Sequence, residues 1–209
     1  DMLERQVLEL REQIYREYKV WLITGIGNTV EHITELKFAY KTAKFCSELH
    51  YFTQEEVIRY SVISRNFTNS FEDYNQKYKE LAAGILSRDE NWEKTLEELL
   101  DIVENLHYGN RYAAENRCIA MAMDLYAELE ECKMVSEESR KEYEAMVARI
   151  RNQSSYGELK AFVKRQLARF LENSGKGEKA AENNTIRLVK NYIQEHYGED
   201  LTLGRVAEV

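Results

Sequence analysis

The chain has 209 residues, 44% of them hydrophobic, and a formal net charge of −8 at pH 7. That hydrophobic share excludes an intrinsically disordered chain, the acidic balance argues against nucleic acid being held by these residues alone, and the complete lack of proline fits long uninterrupted helices. The longest apolar run, residues 20–26, is far too short to span a bilayer, and the charged opening is not a signal peptide, so a cytoplasmic protein is expected.

Leu3, Val7, Leu10 and Ile14 fall at helical spacing and predict an amphipathic helix over residues 2–18. Residues 20–27, rich in β-branched and large apolar side chains and closed by Gly25 and Gly27, predict a buried strand. Helical spacing returns over 34–50, with Leu36, Ala39, Tyr40, Ala43 and Cys46 facing inward. Residues 56–62 alternate as a second strand. From 67 to 173 the pattern is helical throughout. Ser87 and Glu90 predict a capping box ahead of a stripe made by Trp92, Leu96, Leu99, Leu100, Val103 and Leu106. Gly109 closes that helix. The next, over 111–133, turns Ile119, Ala122, Met123, Tyr126 and Leu129 inward. Ser136 is placed to cap a third, through Tyr143, Met146 and Ile150. Ser155 and Glu158 form a further capping box before Leu159, Phe162, Val163, Gln166 and Phe170. Residues 173–178 read as a flexible break. Beyond it Ile186, Val189, Ile193 and Tyr197 share a helix face, Gly198 ends that helix, and Thr202 is placed to cap another that opens with Leu203, Val206 and Ala207.

Three stretches carry family resemblances. The words "TGIGN", "ELKFAYKTAKFCSELHYF" and "EVIRY" in residues 24–60 resemble the C-terminal end of a degenerate GGDEF-like domain of bacterial regulators. In diguanylate cyclases that helix carries an alanine-aspartate…tyrosine-x-alanine-lysine pattern. Here it reads Ala39-Tyr40-Lys41-Thr42-Ala43-Lys44, without the aspartate and without the signature loop, so the resemblance implies no cyclase activity. The words "YKELAAGILSRDENWEKTLEELLDIV" resemble the helical linker of response regulators with AraC-type output domains. The closing words "IRLVKNYIQEHYGEDLTLGRVAEV" resemble the start of an AraC-type helix-turn-helix domain, with Thr202, Leu203, Val206 and Ala207 as its scaffold. In that family the recognition helix lies further on, so no residue of this chain is expected to touch DNA.

The expected fold is therefore mainly α, a helical bundle with a small two-stranded α/β portion near the N-terminus. The expected organisation is 1–63 GGDEF-like end, 64–172 acidic helical regulatory segment, 173–180 linker and 181–209 helix-turn-helix start. The resemblances imply the transmission segment of a bacterial transcription regulator of the two-component response-regulator type. An upstream receiver domain and sensor kinase would be its input, and a homodimer would space two DNA-binding domains. The alternative is a small-molecule-sensing module of a one-component regulator.

Charge and site chemistry fill in the remaining expectations. Residues 80–138 carry five basic and fifteen acidic side chains, whereas 141–190 carry eleven basic and six acidic ones. This suits either a chain that nears DNA only at its C-terminal end or ordinary solvated helix faces. Gly25-x-Gly27 after a strand half resembles a phosphate-cradling turn, but Val30 replaces the third glycine and a tight turn explains both. Glu104-x-x-His107 has di-iron spacing without the second motif that such a site needs, and reads as a wet helix end. His32, His50 and His196 lack zinc-type neighbours. Gly175-Lys176 lacks the rest of a phosphate loop. The Asn-x-Ser/Thr matches at Asn66, Asn152 and Asn183 carry no meaning in a cytoplasmic protein. Cys118 and Cys132, about 21 Å apart on one helix, cannot pair, and with Cys46 they read as small apolar residues. No catalytic, cofactor-binding or metal-binding residue is expected, and the chain is not expected to be an enzyme.

Overall fold

A computed structural model describes residues 2–63 and 68–174, together with Val189, Tyr192, Ile193, Gly204 and Arg205 of the C-terminal stretch. Its fold is mainly α, with seven α-helices and one small sheet among the described residues. In chain order these are α1 (Met2–Tyr18), β1 (Thr24–Ile26), α2 (Leu36–Thr53), β2 (Val57–Arg59), α3 (Phe71–Ser87), α4 (Trp92–Leu106), α5 (Arg111–Glu131), α6 (Glu137–Arg149) and α7 (Tyr156–Ser174).

β1 and β2 pair in parallel, Gly25 opposite Ile58, and a parallel pair requires a crossover, which α2 supplies. Helix and strand approach closely because two glycines let them. A Cβ at Gly25 would lie 2.0 Å from the Ala43 carbonyl oxygen, and one at Gly27 2.2 Å from that of Ala39. Close packing of α2 over the strand explains both glycines, in place of the expected tight turn. The expected strands are also longer than the observed ones. Val20, Trp21 and Ile23 are exposed, Trp21 stacks on Tyr15 with ring centroids 4.1 Å apart, and Tyr60–Val62 is a 3-10 turn. A two-stranded sheet covered on one face has no room to bury eight consecutive residues.

α1 forms where expected, but its stripe does not face inward. Leu3 and Leu10 are exposed, and Arg11 is the residue the helix buries. Its guanidinium donates to the Leu22 carbonyl at 2.8 Å and to Glu56 at 2.5 Å, anchoring the helix by hydrogen bonds where apolar packing is thin. On α2 the expected face is inward at Cys46, with Ala39 and Ala43 half-buried against the strand, and fails at its first two large residues. Leu36 and Tyr40 are exposed, and the buried set is Thr42, Cys46, Leu49 and Tyr51. Thr42 accepts from the Asn28 amide at 2.9 Å, which satisfies its buried hydroxyl.

α3 to α7 share one large core, to which α2 contributes Tyr51 and Phe52. Leu81, Leu96, Leu99, Val103, Leu129 and Leu159 are fully buried there. A smaller core joins Cys46 and Leu49 of α2 to Ile58, with Phe45 and Tyr108 packed against it. Ala122 and Leu129 of α5 are buried as expected, whereas Met123 is exposed because the helix turns Cys118, Met121 and Leu125 inward beside them. All three cysteines are buried, and none of them forms a disulfide.

Helix ends follow local chemistry. Ser70 and Asp73 form the capping box of α3. The expected Ser87–Glu90 box is absent, since Ser87 ends α3 and donates to the Gly84 carbonyl. Ser136 caps α6 by accepting from the Ser139 amide. At α7, Ser155 accepts from the Glu158 amide, whereas the Glu158 carboxylate accepts from Ser154. α7 continues through Ser174, into the first two residues of the expected linker. Its lysines answer the acidic face of α4: Lys160 reaches Asp101 at 2.9 Å and Lys164 reaches Glu93 at 3.0 Å. The acidic and basic stretches of the sequence thus meet partly as facing helices.

Val189, Tyr192, Ile193, Gly204 and Arg205 are helical. Thr202, Leu203, Val206 and Ala207, the expected helix-turn-helix scaffold, lie outside the described residues, as do 175–180 of the linker, Asn66, Asn183 and His196. Among the described residues, no helix is long and apolar enough to cross a membrane.

Candidate functional site

Where α2 meets the bundle, the surface opens into a cleft of about 940 Å³. One wall is the last turns of α2, with Ser47, Glu48, His50 and Tyr51. The other is the start of α5 and the turn before it, with Asn110, Arg111 and Glu115. That turn exists because Gly109 adopts φ +81°, and a Cβ there would lie 2.2 Å from the Phe45 ring. Both demands select glycine. Asn110 then caps α5 by accepting from the Ala113 amide.

The centre of the cleft is an ion pair resting on an aromatic ring. Arg111 Nε donates to Glu115 Oε1 at 2.7 Å, and its terminal nitrogen donates to the carbonyls of Arg151 and Gln153, each at 3.1 Å. Its guanidinium carbon sits 4.6 Å from the centroid of the Tyr51 ring, within cation–π reach. The Glu115 side chain is only 5% exposed. Tyr51 is equally buried, and its hydroxyl has no hydrogen-bond partner among the described residues. Burial raises the Tyr51 pKa above its ordinary value, and the Glu115 carboxylate adds to the shift. Burial and Glu115 likewise push the Cys118 thiol, below the cleft on α5, up to about 12.

Behind this cleft the rings of Tyr51, Phe52 and Tyr156 pack as a cluster. Tyr156 lies 6.3 Å from Tyr51 and 5.4 Å from Phe52, stacked on the latter. Tyr156 is the first residue of α7 and donates to the Leu100 carbonyl of α4 at 2.6 Å. Three rings therefore join α2 of the α/β portion to the beginning of α7.

Tyr51, Arg111, Glu115 and Tyr156 were not singled out by the sequence. Arg111 and Glu115 do stand at i, i+4, the spacing of a helix ion pair, yet that spacing is usual on solvated faces and does not signal burial. Of the residues the sequence did raise, Gly25 and Gly27 serve packing. His50 lines the cleft and contacts the Glu55 carbonyl through Nδ1 at 2.8 Å. His32 caps a short 3-10 turn. Glu104 and His107 do not sit on a wet helix end. Glu104 pairs with Lys160 at 3.5 Å, and His107 Nε2 is buried without a hydrogen-bond partner among the described residues. Burial and the nearby Arg117 charge lower the pKa of His107.

No family model, curated protein or solved structure matches this chain.

Proposed function

We propose that the chain is the transmission segment of a bacterial DNA-binding transcription regulator of the response-regulator type. It acts in the cytoplasm as a homodimer and couples an upstream receiver, addressed by a sensor kinase, to an AraC-type DNA-binding domain. The observation that carries this reading is the course of α7. It starts inside the aromatic cluster shared with α2, at Tyr156, and continues for 19 residues to Ser174, a span of about 28 Å. Beyond it follows the sequence that resembles the helix-turn-helix start. A helix held at one end by a domain junction and leading at the other to an output domain is a direct mechanical link. Crosslinking the tagged protein to DNA in its native cell tests this reading. Recovery of discrete genomic sites is the expected result, and no enrichment over an untagged strain overturns it.

A second reading, a small-molecule-sensing module, is favoured by the cleft at that same junction. A ligand that binds one arrangement of α2 against α5 better than another would bias α7 by its differential affinity. Stabilisation of the protein by a nucleotide, cyclic dinucleotide or sugar in a thermal shift supports this reading.

A further inference from the structure

Charge within the cleft narrows what it can hold. Among the described residues its one arginine is committed: the Arg111 guanidinium is bonded to Glu115 and to two main-chain carbonyls and lies over the Tyr51 ring. Around it stand two carboxylates, Glu48 on the wall and Glu115 at the buried end. An anionic ligand would have to displace Arg111 from three acceptors and then face a buried carboxylate, so phosphate and carboxylate groups are disfavoured. A cation meets the opposite situation. Arg111 engages Glu115 through Oε1 alone, and Oε2 takes no hydrogen bond from any described residue.

The unpartnered Tyr51 hydroxyl adds a second requirement. A buried O–H without an acceptor is costly, and no described residue bonds it. A ligand oxygen placed there would satisfy it. The cleft volume of about 940 Å³ lies within the range of about 300–1,000 Å³ usual for small-molecule sites.

We infer that this cleft binds a small hydroxylated ammonium compound, an amino sugar or amino alcohol. Glu115 takes the ammonium, and the Tyr51 hydroxyl donates to a ligand oxygen. This rests on the sensing reading and names the class of molecule sensed.

Glucosamine at pH 6.5, where it is cationic, is the probe. Glucose and N-acetylglucosamine serve as uncharged counterparts, and ADP as an anionic one. Calorimetric titration of the whole chain is expected to show saturable binding of glucosamine and at least about tenfold weaker binding of the uncharged sugars, as loss of a charge-assisted bond implies. E115Q keeps the shape of the site and should weaken glucosamine at least about tenfold. Y51F removes only the orphaned hydroxyl. It is expected to melt no lower than the wild type and still to weaken glucosamine severalfold. Binding of ADP or glucose in place of glucosamine overturns the ammonium assignment and leaves the sensing reading standing. No binding of any probe counts against both. Glucosamine binding unchanged in E115Q and Y51F places the ligand elsewhere and overturns the site.

Discussion

The same substitution, glycine to alanine, should have opposite effects at two positions of this protein. At Gly109 the backbone adopts φ +81°, and a Cβ would lie 2.2 Å from the Phe45 ring. Holding an L-residue in the left-handed region costs about 1–2 kcal/mol, and forcing the ring aside adds about 1–3 kcal/mol of overpacking. Gly109→Ala should therefore lose about 2–5 kcal/mol, which for a chain of this length lowers Tm by about 4–20 °C. Gly84 sits within α3, where the nearest atom to an added Cβ is Asp89 Cβ at 3.8 Å. There alanine relieves a helix of its weakest ordinary residue, so Gly84→Ala should gain about 0.5–1 kcal/mol. Thermal and urea unfolding followed by far-ultraviolet circular dichroism measures both. A Gly109→Ala protein within about 1 kcal/mol of the wild type refutes the reasoning about the cleft turn, and a Gly84→Ala protein less stable than the wild type refutes the reasoning about α3.

Four further outcomes are expected. Tyr156→Phe removes the buried hydrogen bond to the Leu100 carbonyl and should cost about 0.5–1.5 kcal/mol, read by urea unfolding. His107 has a folded pKa below its ordinary 6.5, so the unfolded chain binds more protons as pH falls through that window. Stability should therefore drop below about pH 6.5, and less in His107→Gln, as melting curves at stepped pH would show. The Cys118 thiol, raised from 9.0 to about 12, favours the folded state below its unfolded pKa and loses that contribution as pH rises from about 9 to 12. Melting in that range should be less steep for Cys118→Ala. Light scattering over a wide concentration range should give a dimer, and a monomer throughout would remove the homodimer from the proposed function.

Much of the bundle was legible because its helices are long and their apolar spacing regular. Leu96, Leu99, Leu100 and Val103 on α4, and Leu159, Phe162, Val163 and Phe170 on α7, are buried as their spacing requires. The α/β portion was legible in type and not in burial. Leu3, Leu10, Val20, Trp21 and Tyr40 look like core residues by composition, yet a sheet of two strands has too little surface to cover them, and they stay exposed. Capping was readable where the hydroxyl precedes an acidic turn, as at Ser136, and misleading at Ser87, where the same residue type closes the previous helix. The cleft was not legible at all. Tyr51 and Glu115 are 64 residues apart, and nothing local marks either as buried and polar. Only the close approach of α2 to α5, allowed by Gly109, brings them together.

The proposed transmission through α7 requires that the α2–α5 junction and α7 form one cooperative element. Hydrogen exchange along residues 156–174 measures it, comparing the wild type with Arg111→Leu. That variant removes the guanidinium that bonds Glu115 and the carbonyls leading into α7. Faster exchange through the length of α7, to Ser174, is the expected result, since a cooperative unit opens together. Faster exchange confined to residues 151–156, with the rest of α7 unchanged, would contradict the coupling.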